Sequence, residues 1–196
     1  MRKKILLHTC CAPCAIHPLA VLRDLGFHVT AYFYNPNIHP YLEFKKRLDA
    51  LIFYCDANDL PLIIDGHYQM ADFLRAVVFK EQIRCTICQY LRINKTQEYA
   101  KSNGFDLFTT SLLYSRYQNH NEIRNQCEVL SKQSEVAFYY KDFREGWQDG
   151  IDASLALGLY RQPYCGCIFS EQERYDKTFK SKRDKPHVEN DRSSNE

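Results

Sequence analysis

Short apolar runs alternate with longer amphipathic segments along most of this chain. The amphipathic segments carry apolar residues at helical spacing, and two of them stop at glycines, Gly26 and Gly104. Five runs have the length and character of buried strands: residues 4–9, 28–35, 60–65, 105–113 and 136–143. Because helical crossovers between parallel strands cover both faces of a sheet, the alternation predicts a three-layer α/β domain. Its sheet should be mostly parallel, with a Rossmann-like, adenine-nucleotide-hydrolase-like topology.

Length and composition favour one domain followed by a polar tail. The chain has 196 residues and is 45% hydrophobic, enough for one substantial core. We predict that residues 1–170 form this domain and that residues 171–196, which are polar and partly basic, form a disordered tail. The formal net charge of +2 is too small to indicate nucleic-acid binding by itself. No membrane helix or secretory signal is recognisable, so a cytoplasmic protein is expected.

Nine cysteines are an unusual content for such a protein. A reducing cytoplasm keeps thiols reduced, so the cysteines do not indicate a disulfide framework but metal binding or redox chemistry. Cys55 and Cys127 are isolated and are expected to be buried packing residues. The other seven cysteines lie in three groups, and simple packing does not explain that clustering.

The first group follows the first predicted strand. Cys10 and Cys11 are adjacent there. Pro13 is well placed to start the next helix, and Cys14 lies one turn into that helix. Sites in open parallel sheets form at the carboxyl ends of strands, and a helix N-terminus favours thiolates. Adjacent cysteines are poor partners for a disulfide, yet both can ligate one metal cluster. Cys14 is either a further ligand or a packed thiol.

The second and third groups supply the remaining sulfurs. Cys85 and Cys88 are three apart, so both sulfurs lie on one face of a helix start. Together with the Cys10–Cys11 pair they give the four thiolates of a cubane iron–sulfur cluster or a tetrahedral zinc site. Cys165 and Cys167, separated by one glycine, could form a strained redox-active disulfide or act as additional ligands. Seven clustered thiols exceed what one zinc ion requires.

The segments that contain these cysteines resemble a known family, the cobalamin-independent epoxyqueuosine reductases of bacterial tRNA modification. The resemblance runs from about Lys4 to Ser170 with the motifs in the same order. The matching segments are LLHTCCAPC, YNPNIHPYLEFKKRLDAL, RCTICQYLR, FTTSLLYSRYQNHNEI and DFREGWQDGIDASLALGLYRQPYCGCIFS.

The resemblance implies an enzyme that reduces the epoxide of epoxyqueuosine to queuosine at the tRNA wobble position. It implies a 4Fe-4S cluster whose ligands are Cys10, Cys11, Cys85 and Cys88, and a redox-active pair formed by Cys165 and Cys167. A second mononuclear metal, iron or zinc, is also associated with the family, and Cys14 is a candidate ligand for it. The partners implied are tRNA carrying epoxyqueuosine and an unidentified electron donor.

Two further sets of residues in the matching segments have two interpretations each. One set, which flanks predicted strand ends, could donate protons or hold the substrate, or could cap turns and fill the core: His8, Asn35, Asn37 and His39. The other set could stack on an anticodon base and bind its phosphate, or could pack beside the C-G-C loop: Tyr160, Arg161 and Tyr164.

Two other functions compete with the reductase. A tRNA thiolase of the ATP-pyrophosphatase kind would share the sheet topology, but the chain has HTCCAPC where such an enzyme carries a Gly- and Ser-rich phosphate loop. A zinc-stabilised RNA-binding module without catalysis would instead give a colourless, zinc-loaded protein.

Overall fold

The structure, a computed structural model, describes residues 2–178 and has a five-stranded, all-parallel sheet flanked by seven α-helices. The strands are β1 (Lys4–His8), β2 (His28–Phe33), β3 (Leu62–Ile64), β4 (Leu107–Thr110) and β5 (Ala137–Phe138). The α-helices are α1 (Ala12–Asp24), α2 (Tyr41–Ala57), α3 (Met70–Val77), α4 (Arg84–Ser102), α5 (His120–Lys132), α6 (Trp147–Ala156) and α7 (Ile168–Tyr175). Three short 3₁₀ helices lie at Glu81–Ile83, Ser111–Tyr114 and Phe143–Gly146. This confirms the predicted single three-layer α/β domain.

The order of the strands in the sheet is β3-β2-β1-β4-β5. The chain therefore moves outward from β1 to one edge through β2 and β3, and then returns to pair β4 with the other side of β1. Ile5, Leu6 and Leu7 are fully buried because β1 is central and both faces of the sheet are covered. The reversal of strand order puts the topological switch point between the carboxyl ends of β1 and β4.

The predicted elements differ from the observed ones mainly near the C-terminus. The strand expected at residues 136–143 is only two residues long, because the following segment leaves the sheet and turns into the 3₁₀ helix Phe143–Gly146. Helix α7 was not predicted, and it contains the boundary that the sequence suggested at residue 170. Residues 179–196, most of the expected disordered tail, lie outside the described residues, so that expectation stays a prediction.

Cys55 and Cys127 lie in the main hydrophobic core, as expected for packing residues. Within residues 2–178, no helix combines the length and the apolar character needed to cross a membrane.

Candidate active site

The first cysteine group lies at the switch point of the sheet. β1 ends at His8, two residues before Cys10, and β4 ends at Thr110, next to Ser111. The Sγ atom of Cys10 lies 3.9 Å from the Oγ atom of Ser111, so the ends of the two strands meet at this thiol. The fold therefore places the cysteines in the crevice where open α/β sheets bind their ligands.

Cys10, Cys11 and Cys14 bring their sulfur atoms together. The three Sγ atoms lie within 4.8 Å of one another, and those of Cys10 and Cys11 are 3.8 Å apart. Cys11 is the N-cap of α1, which turns Cys14 back towards the pair within the first helical turn. Gln162 donates a hydrogen bond from Nε2 to the sulfur of Cys14, at 3.5 Å. This group of three thiols could bind a metal ion.

The three thiols differ in their affinity for protons. Hydrogen bonds from the thiols of Cys11 and Cys14 hold the pKa of Cys10 well below its usual value. Burial is the main cause that raises the pKa of Cys11, and its hydrogen bond to Cys10 raises it further. The hydrogen bonds of Cys14 to Cys10 and Cys11 raise the pKa of Cys14. Its two neighbouring thiols thus make Cys10 the most acidic of the three.

Cys85 and Cys88 lie at the start of α4, outside the group of three. Cys85 is exposed, whereas Cys88 is buried in a second small core with Cys167, Phe73 and Val77. Burial raises the pKa of Cys88 to about 12. The structure therefore brings the second cysteine group together with the C-G-C pair, and Cys88 and Cys167 share one apolar environment.

Arg92 lies among the thiols of all three groups. It is only 2% exposed and donates from Nε to the carbonyl oxygen of Cys88, at 3.1 Å. Burial alone would lower the pKa of the guanidinium, but negative charge on the nearby sulfurs of Cys88, Cys165 and Cys10 raises it. Within residues 2–178, no carboxylate oxygen lies within ion-pairing distance of Arg92. A buried cation without a carboxylate requires another source of negative charge, and the sulfurs are placed to provide it.

The C-G-C loop is held by a second buried arginine, Arg47 of α2. Its guanidinium donates to the carbonyl oxygens of Tyr164 and Cys165, at 3.0 and 2.9 Å, and to Glu43 at 2.7 Å. Gly166 has a φ of +150°, and a Cβ atom there would lie 2.9 Å from the side-chain nitrogen of Asn37. Glycine is therefore required between the two cysteines, because only glycine fits this close approach.

Tyr160, Tyr164 and Arg161 have separate environments. The hydroxyl of Tyr160 donates to Glu43, and the hydroxyl of Tyr164 donates to the backbone oxygen of His39 at 2.5 Å. Both tyrosines therefore pack beside the C-G-C loop, in agreement with one of the two interpretations. Arg161 is exposed.

The polar residues at the strand ends have mostly structural contacts. His8 is fully buried, and its ring bonds the hydroxyl of Thr110 and the carbonyl oxygen of Tyr34. Burial, followed by the charge of Arg92, lowers the pKa of His8 to about 4, so the ring is neutral at neutral pH. Asn35 donates to the carbonyl oxygen of Thr9 at 2.9 Å and thereby ties the loop after β2 to the end of β1.

His39 makes the stability of the fold dependent on pH. Burial lowers its pKa below the ordinary value of about 6.5, although its Nε2 donates to the carbonyl oxygen of Pro36. As the pH falls below about 6.5, the unfolded chain takes up a proton that the folded protein resists, so the free energy of unfolding falls. We expect His39→Gln to reduce the loss of stability between about pH 7.5 and about pH 5.5, measured by urea unfolding. His28→Gln, at an exposed histidine, is the control, and equal pH dependence in all three proteins would contradict the assignment.

Comparison with known proteins gives a family match that covers all the residues of this candidate site. The family model described as "Epoxyqueuosine reductase QueH" matches residues 5–173, which include all nine cysteines. The chain is 38% identical over 177 residues to the epoxyqueuosine reductase QueH of Dehalococcoides mccartyi, covering 90% of this chain and 97% of that protein. It is 34% identical over 195 residues to the protein of the same name from Thermotoga maritima, covering 94% and 98%.

The chain belongs to the QueH family. A third relative, from Haemophilus influenzae, is 36% identical over 175 residues, which are 85% of this chain and 71% of that protein. The resemblance that the cysteine motifs indicated is thereby confirmed. The match continues to residue 173, three residues beyond the last sequence motif, and so includes most of α7.

Sequence reasoning missed the buried arginines of this QueH-family site. Arg47 and Arg92 lie on helices with mixed polar and apolar faces, where an arginine usually indicates the solvent side. A signal was nevertheless present in the sequence. Glu43 precedes Arg47 by four residues, so the two side chains lie on one face of α2 and can pair. Arg92 gives no comparable signal, because its hydrogen bond is to the backbone oxygen of Cys88.

Proposed function

We propose that this chain reduces the epoxide of epoxyqueuosine in tRNA to the alkene of queuosine. The observation that carries the proposal is the family match over residues 5–173, together with the gathering of three thiols at the switch point of the sheet. A cytoplasmic location is part of the same proposal, because the chemistry needs reduced thiols.

The proposed cofactor is a 4Fe-4S cluster held by Cys10, Cys11, Cys85 and Cys88. The donor set is compatible with it, because thiolate sulfur is the ligand that such clusters prefer. Arg92 supports an anionic centre, since its buried charge lies near sulfurs from all three cysteine groups and has no carboxylate beside it in the described part of the chain. When bound by these four cysteines, the cluster would supply electrons one at a time, whereas polarising the epoxide oxygen at iron would require a coordination position that is not taken by cysteine.

The role proposed for Cys14 is based mainly on the position of its sulfur in the structure. Its sulfur is grouped with those of Cys10 and Cys11, whereas Cys85 and Cys88 are not part of that group. This proximity supports Cys14 as a metal ligand, either of the cluster or of a second mononuclear iron or zinc. Gln162 donates a hydrogen bond to the Cys14 sulfur and would then orient this sulfur without binding the metal itself.

The proposed reaction removes one oxygen atom as water. Both C–O bonds of the epoxide break, a C=C bond forms, and two electrons and two protons are consumed. Cys165 and Cys167 can supply both, because joining two thiols in a disulfide releases two electrons and two protons. The electron donor would then reduce the disulfide again.

The position of the C-G-C loop suits this role. Cys165 is exposed and therefore accessible to an external reductant, whereas Cys167 is buried beside Cys88. Surrounding protein atoms still desolvate the Cys165 thiol and raise its pKa to about 11, so its sulfur holds a proton at neutral pH. The loop thus offers one accessible, protonated thiol next to one that adjoins the proposed cluster ligands.

Anaerobic purification followed by iron, sulfide and zinc analysis, with an assay on tRNA that carries epoxyqueuosine, tests the proposal. We expect a brown protein with about four irons and four sulfides per chain, and a nucleoside product that is lighter by one oxygen atom. A colourless, zinc-loaded, iron-free preparation would favour the zinc-stabilised RNA-binding module. A product that gains sulfur and requires ATP would favour the thiolase.

A further inference from the structure

A group of aromatic and arginine side chains lies beside the three thiols and has no part in the proposed redox chemistry. It consists of Tyr114, Arg116, Tyr117, Trp147 and Arg161, here called the aromatic rim. Tyr114 ends the 3₁₀ helix that follows β4, and the next residues carry Arg116 and Tyr117 into solvent. Tyr117 is 88% exposed, which is unusual for a large aromatic side chain in a folded domain.

Trp147, at the start of α6, connects the buried and the exposed parts of the rim. Its ring lies 5.0 Å from that of Tyr114 and 5.6 Å from that of Tyr117, and the guanidinium of Arg116 lies 5.8 Å from its centre. Tyr114 also donates from its hydroxyl to the backbone oxygen of Trp147, at 3.0 Å. A Cβ atom at Gly150 would lie 2.2 Å from that hydroxyl, so α6 can approach Tyr114 only with glycine there. Ring contacts and this hydrogen bond therefore hold the side chains of the aromatic rim in place.

The rim is connected to the thiol group through the neighbour of Arg161 in the chain, Gln162. Arg161 precedes Gln162, whose side chain donates to the sulfur of Cys14. Burial raises the pKa of Tyr114, negative charge on the nearby sulfurs of Cys14 and Cys11 raises it further, and the positive charges of Arg161 and Arg116 oppose the rise. Tyr114 is therefore within electrostatic reach of the thiols on one side and of both arginines on the other.

The arginines of the rim are available for an anionic ligand. Both are exposed, and no carboxylate oxygen among the described residues lies within 4.0 Å of either guanidinium. Aromatic faces next to unpaired arginines are the combination that binds single-stranded RNA, because bases stack on the rings and guanidinium groups bind phosphates.

We infer that the aromatic rim binds single-stranded anticodon-loop nucleotides that flank the modified base, with Tyr117 as the stacking surface and Arg116 and Arg161 as phosphate-binding groups. This inference rests on the proposed function, which makes tRNA the substrate. Stacking a flanking nucleotide on Tyr117 would direct the neighbouring base towards the thiols beyond Tyr114. The rim would then position the substrate without touching the reacting atoms.

Fluorescence anisotropy with an unmodified RNA hairpin that copies the anticodon arm tests the inference on the full-length, anaerobically purified protein. We expect Tyr117→Ala to weaken binding by about fivefold to 100-fold, and Tyr117→Phe to retain most of it, because stacking needs only the ring. Replacing Arg116 and Arg161 with alanine should reduce the slope of log K against log salt by about 0.7 for each phosphate that the variant no longer binds.

Matched controls lie towards the amino ends of the strands, away from the carboxyl ends where the thiols lie. Phe53→Ala removes an aromatic side chain that is 60% exposed near the end of α2, and Arg2→Ala removes an exposed arginine just before β1. Both controls should bind the hairpin as the unaltered protein does. Unchanged binding by Tyr117→Ala, an unchanged salt slope in the arginine variant, or equal losses in the controls would overturn the inference.

The binding measurement is independent of the reaction, because the hairpin carries no epoxide. Loss of binding in the rim variants of a protein without reductase activity would overturn the proposed function and support the rim. Reductase activity with unaffected hairpin binding in the rim variants would overturn the rim and leave the proposed function in place. Circular dichroism of each variant excludes unfolding as the cause of a loss, which is not expected at side chains as exposed as Tyr117.

Discussion

Replacing Cys88 with alanine should remove bound iron and reductase activity together, whereas replacing Cys165 with alanine should abolish turnover and leave most of the iron bound. Cys88 is a proposed cluster ligand, buried near the start of α4, and Arg92 bonds the backbone oxygen of that residue. Cys165 is exposed on the C-G-C loop, where it is proposed to transfer electrons without holding metal. Iron and sulfide content, the visible spectrum and anaerobic turnover measure the two effects separately.

Cys127→Ala is the matched control for these variants. Cys127 is buried like Cys88, but it lies on α5, in the main core, and belongs to none of the three cysteine groups. The control should retain iron and activity and lose about 1 kcal/mol of stability, as expected for a small cavity. Equal loss of iron from the Cys85, Cys88 and Cys165 variants would contradict the division of roles and make the C-G-C pair a ligand pair.

Cys14→Ala distinguishes the two roles proposed for Cys14. If the residue holds a second metal, the variant should lose that metal and retain the full sulfide content of the cluster. If it is a cluster ligand, iron and sulfide should fall together. Unchanged metal and sulfide content would make Cys14 a packed thiol, in spite of its closeness to Cys10 and Cys11.

The sequence was sufficient to predict most of the fold because the signals that define it are local. The apolar runs of β1, β2 and β4 are bounded by clear breaks, and Gly26 and Gly104 both adopt the positive φ that ends a helix. β5 was overestimated because three of the five residues after Phe138, which are Tyr139, Tyr140 and Phe143, are aromatic, which is typical of a strand. Their side chains pack against α5 and the core instead of extending the sheet, and this depends on tertiary contacts.

The sequence predicted the components of the candidate site, which are three cysteine groups, but not how the structure arranges them. Spacing indicated that Cys10, Cys11, Cys85 and Cys88 could act together, but it left open whether the sulfur of Cys14 joins those of the first pair, as the structure shows. Contacts between residues more than 100 apart determine the surroundings of these thiols, such as Gln162 with Cys14 and Arg47 with Cys165. The residue pattern within one helix or strand does not predict such long-range contacts.

Arg47→Met should lower the free energy of unfolding by about 3–5 kcal/mol, the usual effect of removing one partner of a buried ion pair. The Arg47 side chain has no exposed surface and that of Glu43 is 8% exposed, so the variant leaves a buried carboxylate without its cation. It also removes the donors to the carbonyl oxygens of Tyr164 and Cys165. Turnover should therefore fall further than stability alone explains, because the C-G-C loop loses its attachment to α2.

Lys45 and Asp49 provide the control for this prediction on the same helix. They form an ion pair with the same i, i+4 spacing at 2.9 Å, but both side chains are 55% exposed. Lys45→Met should therefore change the free energy of unfolding by less than about 1 kcal/mol and leave turnover unchanged. Adding Glu43→Gln to Arg47→Met should recover part of the lost stability, because the uncompensated charge is removed, without restoring turnover. Chemical unfolding of the four proteins measures this, and equal effects of Lys45→Met and Arg47→Met would show that burial of the pair does not stabilise the fold.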